Sequence, residues 1–285
     1  MPTDLATDDS PAPPRVRRGW HLSLAYDGSR FRGWQIQSQG RTVQGELQSR
    51  LRRLFSDPDL RVAGTSRTDA GVHALDQQAS FAADTPAEFT AERLRVVLNG
   101  WLPDDMMLTN VREVPLGFNA RYGAAGKAYT YVLNPGERLL PMFSPLVWHL
   151  PRRLDLGAMQ AAAEFLVGEQ DFSSFAVNPK REIRSHVRLV HRLEVISQDG
   201  LIHFNVVGTS FLYKMIRGMV GWLVHVGRGA ASPESTAAVL AAKDRSMAAD
   251  SAPALGLFLA KVFFEPDAWR DYEPLLPPFQ WRAKP

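Results

Sequence analysis

The chain has 285 residues, of which 45% are hydrophobic and 22% are charged, a balance typical of folded globular proteins. It contains no cysteine, which excludes disulfides, thiolate metal ligands and cysteine nucleophiles. The net charge is only +3, but basic residues concentrate in three segments, at 15–18, 50–53 and 180–192. Each segment fits either a solvated surface or a polyanion-binding patch.

The sequence shows no signal for secretion or for a membrane span. Asp4, Asp8 and Asp9 lie near the N-terminus, where a signal peptide needs positive charge. The longest apolar run, at 215–226, is too short and is interrupted by Arg217. We therefore expect a cytoplasmic protein without membrane contact.

Residues 1–18, which are rich in proline, are predicted to be a disordered tail. Residues 267–285 are predicted to be a C-terminal extension that lies on the surface of the fold.

Between these tails, hydrophobic periodicity predicts the same order of elements twice. Residues 19–115 contain predicted strands at 20–26, 60–64, 77–82 and 106–114 and helices at 43–54 and 87–98. Residues 116–266 contain strands at 128–133, 187–196, 201–207 and 256–264 and helices at 156–167 and 211–226. Each set reads βαββαβ, the order of a ferredoxin-like unit. We predict an α+β fold of two ferredoxin-like halves, with adjoining antiparallel sheets around a central cleft.

A polar loop, S-R-T-D-A-G-V-H-A at residues 66–74, follows one predicted strand and leads into another. Loops on a rigid scaffold are common positions for catalytic groups. Asp69 at its centre has the chemistry of a nucleophile, and Arg67 is near enough to keep it ionised. An ordinary Asp-Ala-Gly turn is the alternative interpretation, since Asp and Gly are common turn residues.

Two residues of the second half are candidates to act with this loop. The predicted helix at 211–226 is apolar nearly all round, which is typical of a buried helix. Arg217 in its middle cannot lose its proton, so burial would require a carboxylate, and Asp69 is the predicted partner. The alternative is that Arg217 extends to the surface. Tyr129 shares a strand face with Tyr131 and either stacks on a base in the cleft or packs in the core.

Patterns typical of metal or nucleotide-cofactor sites are absent from the sequence. The seven histidines include no H-E-x-x-H, and His73 is predicted to brace its loop rather than to bind metal. There is no P-loop, no G-x-G-x-x-G after a strand and no serine in a nucleophile elbow. The sequence therefore predicts neither a metal nor an organic cofactor.

Several motifs together resemble the TruA family of tRNA pseudouridine synthases. The loop at 66–74 is similar to the catalytic loop of that family, and further matches follow in family order. They are Y-D-G-S-R-F-R-G-W-Q at 26–35, N-G-W-L-P at 99–103, F-N-A-R-Y at 118–122, K-A-Y-T-Y at 127–131, G-E-Q-D-F at 168–172, F-L-Y-K-M-I-R-G-M-V-G at 211–221 and G-L at 256–257. Agreement at so many separate places is not expected by chance.

The resemblance implies an isomerase that converts uridine to pseudouridine at positions 38, 39 and 40 of the tRNA anticodon stem-loop, without any cofactor. It also implies a homodimer, a basic cleft between the two halves of the fold and a tRNA that contacts both subunits. By position in the motifs, Asp69 is the nucleophile on a flipped-out uridine and Tyr129 stacks on the uracil. Arg67 helps to hold the flipped nucleotide, and Arg217 pairs with Asp69.

Four positions depart from the pattern of the family. Ser66 and Asp76 replace frequent glycines, Gly123 replaces a serine and Phe258 a tyrosine. None of these changes removes a group that the reaction requires.

Two other functions fit the sequence. One is a catalytically silent RNA-binding protein of the same fold, and the other is a glycosidase-like hydrolase that uses Asp69 with a second carboxylate, for which Asp76 is the nearest candidate.

Overall fold

The computed structural model describes residues 14–177, 184–274 and 276–277. Its strands are β1 (Arg15–Tyr26), β2 (Ala63–Gly64), β3 (His73–Pro86), β4 (Met106–Val114), β5 (Gly126–Asn134), β6 (Trp148–His149), β7 (Gly168–Asp171), β8 (Val187–Gln198), β9 (Leu201–Gly208) and β10 (Leu257–Phe263). Its α-helices are α1 (Val43–Phe55), α2 (Ala91–Trp101), α3 (Ala120–Gly123), α4 (Leu156–Glu164), α5 (Met215–Gly227) and α6 (Ser235–Ala242).

All the described strands belong to one continuous sheet. Their order is β4-β1-β3-β10-β5-β9-β8-β7, with β2 beside β3 and β6 beside β5. Every pair is antiparallel except β3 with β10 and β5 with β6. The α+β class is confirmed, with a largely antiparallel sheet and helices. The two predicted sheets are merged into one, because β3 and β10 hydrogen-bond in parallel at the centre.

The parallel contact between β3 and β10, here called the seam, is short, and a side chain adds a further hydrogen bond between the two strands. Only Phe258 with His73 and Leu259 with Ala74 are in register between β10 and β3. Farther along, Asp76 Oδ2 accepts a hydrogen bond from the Val262 N–H at 3.0 Å and lies 3.1 Å from Lys261 Nζ. Burial raises the pKa of the Asp76 carboxyl, against the effect of the lysine charge. Asp76 therefore ties the two halves of the sheet together.

Helices cover one face of the sheet and enclose the largest core cluster. Three of them begin at a residue whose side chain accepts a hydrogen bond from the backbone N–H three positions on, the usual N-cap arrangement. These caps are Thr42 for α1, Thr90 for α2 and Asp155 for α4. The apolar periodicity of α1 is buried as predicted, and α5 is buried over most of its surface.

Connecting segments cover parts of the opposite face. Trp269 and Tyr272 pack on Ala128, Val207 and Phe263 of the sheet. The C-terminal extension predicted from residue 267 therefore lies against the fold in its described part. Apart from the gaps given above, none of the α-helices combines the length and apolar character that a membrane span needs.

Strand β1 begins at Arg15, within the segment predicted to be a tail. The Arg15 guanidinium donates to the Asp84 carbonyl oxygen at 2.9 Å, and that of Arg18 donates to the Phe89 carbonyl oxygen at 2.7 Å. These long-range bonds attach the polar start of β1 to the end of β3 and to the segment that follows it, which no local hydrophobic pattern reveals. Residues 1–13 of the predicted tail lie outside the described residues.

Helix α5 begins at Met215, four residues later than predicted. Lys214, the residue before the helix, has a φ of +59° in the left-handed region, so the right-handed helix does not continue back through it. The sequence prediction also omits α3, α6, β6 and β7. Each of these has eight residues or fewer, so hydrophobic periodicity gives little signal for it.

Close packing around α5 makes Gly218 sensitive to substitution. A Cβ on Gly218 would lie 2.2 Å from the Phe175 carbonyl oxygen, whereas a Cβ on Gly100 in α2 has no atom within 4 Å. We expect Gly218→Ala to lower the free energy of unfolding by about 1–3 kcal/mol through overpacking. The matched control Gly100→Ala should raise it by about 0.4–1 kcal/mol. Urea unfolding measures both, and a Gly218→Ala protein as stable as the parent would contradict this packing.

Candidate active site

A cleft of about 970 Å³ takes its lining from both halves of the chain. Its walls include the loop at 66–70, part of β5, helix α3 and the residues that lead into α5. Among the described residues that line it, Asp69 is the one carboxylate. Six cations share the lining, namely Arg32, Arg67, Arg121, Lys127, Lys214 and Arg217. Such an excess of positive charge in a cleft attracts polyanions.

The loop that carries Asp69 is held in place by buried polar side chains. Gln77 of β3 accepts a hydrogen bond from the Ser66 N–H at 3.2 Å and donates to the Ser66 carbonyl oxygen at 2.7 Å. The Tyr26 hydroxyl lies 2.8 Å from Thr68 Oγ1. Gln77 is completely buried, so these bonds are shielded from water. Asp69 therefore extends from a fixed backbone.

A second segment, residues 26–35, packs with its backbone against the backbone of the Asp69 loop. Gly33 has a φ of +84°, and a Cβ there would lie 2.4 Å from the Thr68 carbonyl oxygen. That oxygen accepts a hydrogen bond from the Trp34 N–H at 3.1 Å. A Cβ on Gly28 would lie 2.0 Å from the Val72 carbonyl oxygen. The two glycines allow the segments at 26–35 and 66–74 to approach at backbone distance.

Asp69 and Arg217 form an ion pair at the floor of the cleft. Arg217 Nη1 donates to Asp69 Oδ2 at 3.0 Å, and the two side chains are only 14% and 17% exposed. Arg217 Nε also donates to the Ala252 carbonyl oxygen at 2.7 Å, while the Ala252 N–H donates to the Arg217 carbonyl oxygen at 2.9 Å. The guanidinium is thus fixed on two sides, and it orients the carboxylate.

Tyr129 lies on the same cleft wall, with 8% of the residue exposed. Its hydroxyl donates to Ser66 Oγ at 3.4 Å, and its ring packs edge-on against Phe211 at a centroid distance of 5.4 Å. Burial raises the pKa of Tyr129 to about 12, with a contribution from the charge of Asp69. The phenol is therefore neutral near pH 7 and offers an aromatic surface beside the carboxylate.

The structure brings the four predicted site residues to one cleft. They are Asp69, Arg67, Tyr129 and Arg217. Arg67, two residues before Asp69, is exposed and lines the opening. Ser66 does not have a positive φ, so serine fits the backbone where similar sequences have glycine. Asp76 does not line the cleft and is engaged in the β3–β10 seam.

His73 supports the start of β3. Its Nδ1 accepts a hydrogen bond from the Gly28 N–H at 3.1 Å, and its Nε2 lies 2.9 Å from the Leu255 carbonyl oxygen. The ring stacks on Phe258 at 4.7 Å, which accounts for an aromatic residue at that position. Across the described part of the chain, no group of three or more His, Asp or Glu side chains is placed to hold a metal ion.

Sequence reasoning assigned no role to three further residues that shape the site. Gln77 braces the loop, Phe211 supports the Tyr129 ring and Lys127 lines the cleft beside it. Burial, helped by the positive charge of Arg121, lowers the pKa of Lys127 to about 8. The clearest sequence signal was Lys127 itself, a cation two residues from Tyr129 and so on the same face of a strand.

Comparisons with known proteins agree over most of the chain. A model of the tRNA pseudouridine synthase family matches residues 23–123 and 162–265. The tRNA pseudouridine synthase A of Geobacillus kaustophilus (strain HTA426) is 42% identical over 243 residues, which cover 85% of this chain and 93% of that protein. The tRNA pseudouridine synthase A of Methylacidiphilum infernorum (isolate V4) is 39% identical over 249 residues, covering 87% and 96%.

Solved structures add only a distant likeness. The crystal structure of a Cbf5-Nop10-Gar1 complex aligns with a TM-score of 0.30 and 14% identity, covering 72% of this chain and 54% of that chain. A match at this level carries no argument about fold or function. The sequence matches are far stronger, and the family model covers both the loop at 66–74 and helix α5. On that evidence the chain belongs to the tRNA pseudouridine synthase family, whose members are isomerases that convert uridine to pseudouridine.

Proposed function

We propose that this protein converts uridine to pseudouridine at positions 38, 39 and 40 of the tRNA anticodon stem-loop, with Asp69 as the nucleophile on a flipped-out uridine. One observation carries the proposal. The single carboxylate of the described cleft lining is held by Arg217 at 3.0 Å, and the other charged lining residues are cations. Basic walls suit the phosphates of RNA, and a buried, oriented carboxylate suits attack on the nucleoside.

The chemistry needs only this carboxylate and a bound nucleotide. Asp69 attacks the nucleoside at C1′ or at C6, and the bond between N1 and C1′ breaks. The uracil then rotates within the cleft and C5 bonds to C1′, and the bond that Asp69 formed to C1′ or to C6 breaks, which returns the free carboxylate. C5 loses its proton and N1 gains one, so the product is an isomer of the substrate and no cofactor is consumed. Arg217 offsets the carboxylate charge before attack and keeps its oxygen oriented.

Tyr129 and Arg67 are the proposed substrate-binding partners of this step. Flipping a base out of a stem costs a few kcal/mol in lost stacking and pairing. The Tyr129 ring packs edge-on against Phe211 and lines the cleft beside Asp69, which supports the proposal that it stacks on the extruded uracil. Arg67 lies on the same loop as Asp69 at the exposed side of the cleft, where it can hold the flipped nucleotide.

The proposal includes the architecture and assembly that the family resemblance implies. We interpret the orders β4-β1-β3-β2 and β10-β5-β9-β8 as two ferredoxin-like halves that enclose the basic cleft.

We also propose a cytoplasmic homodimer in which one tRNA contacts both subunits. Light scattering should then give about twice the chain mass of 31.8 kDa, and a single-chain mass would contradict the dimer.

Two alternatives make different demands on the site. A catalytically silent RNA-binding protein would use the basic lining but would have no need of the Asp69–Arg217 pair. A hydrolase of the glycosidase kind would need a second carboxylate near Asp69. Asp76, the nearest candidate in the sequence, is bonded to Val262 and Lys261 away from the cleft. The arrangement therefore favours isomerisation over hydrolysis.

The role of Asp69 is tested with an unmodified tRNA transcript that carries tritium at C5 of uridine. Pseudouridine formation must release this tritium to solvent. We expect release by the parent and none by Asp69→Ala or by the nearly isosteric Asp69→Asn, with the product mapped to positions 38–40. Tight, salt-sensitive binding without release would favour the silent RNA-binding protein. Release that persists in Asp69→Ala would exclude Asp69 as the nucleophile.

The role of Tyr129 is tested by separating its ring from its hydroxyl. Stacking of a base on an aromatic side chain contributes about 1–3 kcal/mol. We expect Tyr129→Leu to weaken binding of the anticodon stem-loop accordingly, while Tyr129→Phe keeps an affinity close to that of the parent. Fluorescence anisotropy measures both. Equal losses in the two variants would assign binding to the hydroxyl instead of the ring.

A further inference from the structure

The lysines of the described chain divide into two kinds. Lys243 Nζ lies 3.5 Å from a carboxylate oxygen of Asp171, and Lys261 is paired with Asp76. Lys127 and Lys214 line the cleft, and within the described residues neither has a carboxylate at ion-pair distance. Of these four described lysines, the two outside the cleft are thus paired with a carboxylate, and the two that line it have no described counterion.

Lys127 is the cleft lysine whose pKa the surrounding protein lowers. It is partly buried on β5, and the residues opposite it are Gly208 on β9 and Val262 on β10, which carry no charge. The charged group that acts on it is Arg121 of α3, another cation. Burial and this repulsion together lower the pKa of Lys127 to about 8. An ammonium group so placed is stabilised by an anion that the protein does not supply.

We propose that Lys127 binds a backbone phosphate of the substrate RNA beside the flipped uridine. The inference rests on the proposed function, because it takes RNA as the ligand of the cleft. Lys127 and Tyr129 are two residues apart on one strand face, about 6.6 Å along the strand. That separation lets one strand contact the base of a nucleotide and a phosphate next to it. Arg121 flanks the same position and is placed to share the phosphate charge.

Phosphate binding would change the protonation of Lys127. An anion in contact with the ammonium favours its charged form, so the pKa rises from about 8 in the free protein when RNA binds. Below about pH 8 the lysine is already charged and binding needs no proton. Above that pH the free lysine is neutral, and binding must take up a proton. Affinity for RNA should therefore fall as the pH rises through 8 and beyond.

The test compares four proteins for binding of an unmodified anticodon stem-loop at constant ionic strength. They are the parent, Lys127→Arg, Lys127→Met and the control Lys243→Met, which removes one exposed, paired lysine away from the cleft. Affinity is measured by fluorescence anisotropy at about pH 7 and about pH 9, and at several salt concentrations. Thermal unfolding without RNA is recorded for each protein.

We expect the affinity of the parent to fall about tenfold between about pH 7 and about pH 9 if RNA raises the pKa by about two units. Lys127→Arg stays charged and should lose most of this pH dependence. Lys127→Met should bind weakly at both pH values, with a salt slope smaller by about 0.7–0.9 for one lost phosphate contact. It should also melt at a higher temperature than the parent below about pH 8, where the buried charge is present. Lys243→Met should bind as the parent does.

Three results would overturn the inference. The first is parent-like affinity and salt slope in Lys127→Met. The second is a pH dependence that persists unchanged in Lys127→Arg. The third is a lower melting temperature of Lys127→Met with unchanged binding, which would make Lys127 structural. Tritium release from the labelled tRNA, measured for the parent and the Lys127 variants, distinguishes failure of this inference from failure of the proposed function. An active parent with unaffected Lys127 variants contradicts only the phosphate site, whereas an inactive parent with Lys127-dependent binding contradicts only the catalysis.

Discussion

The ion pair between Asp69 and Arg217 is the interaction on which the rest of the site depends. It joins residues 148 positions apart, one on a loop of the first half and one inside the buried helix α5 of the second. Removing either partner would leave the other charge enclosed without compensation, which is costly in a protein interior. The same contact that orients the Asp69 carboxylate therefore also specifies how the two halves of the chain meet.

The pair is held at the right separation by the seam of the sheet. The loop of Asp69 leads directly into β3 at His73, and β10 begins beside it at Leu257. His73 bridges the two sides, with one ring nitrogen toward Gly28 and the other toward the Leu255 carbonyl oxygen. A slip of one residue in this register would turn alternate side chains to the opposite face. The seam thus fixes where the Asp69 loop lies relative to α5.

Local sequence patterns predicted the order of the main elements. They offered Asp69 as the partner of Arg217, because a buried arginine needs a carboxylate, but they left a surface position of Arg217 open, and the structure shows the pair. They could not reveal the seam, since two registered residue pairs between strands far apart in the chain have no local signature. The start of α5 depends on the left-handed φ of Lys214, which periodicity does not encode. Gln77 reads as an unremarkable polar residue in a strand until the structure shows it bonded to both backbone groups of Ser66.

The charge of the cleft has a consequence for the stability of the free protein. Arg217 is compensated by Asp69, while Lys127 has only the like charge of Arg121 acting on it. Uncompensated cations repel one another and disfavour the compact state, so the site is maintained at some cost to folding. A polyanion that binds only the folded protein would relieve this repulsion and stabilise the fold by mass action. Substrate binding and stability of the cleft are then coupled through the same side chains.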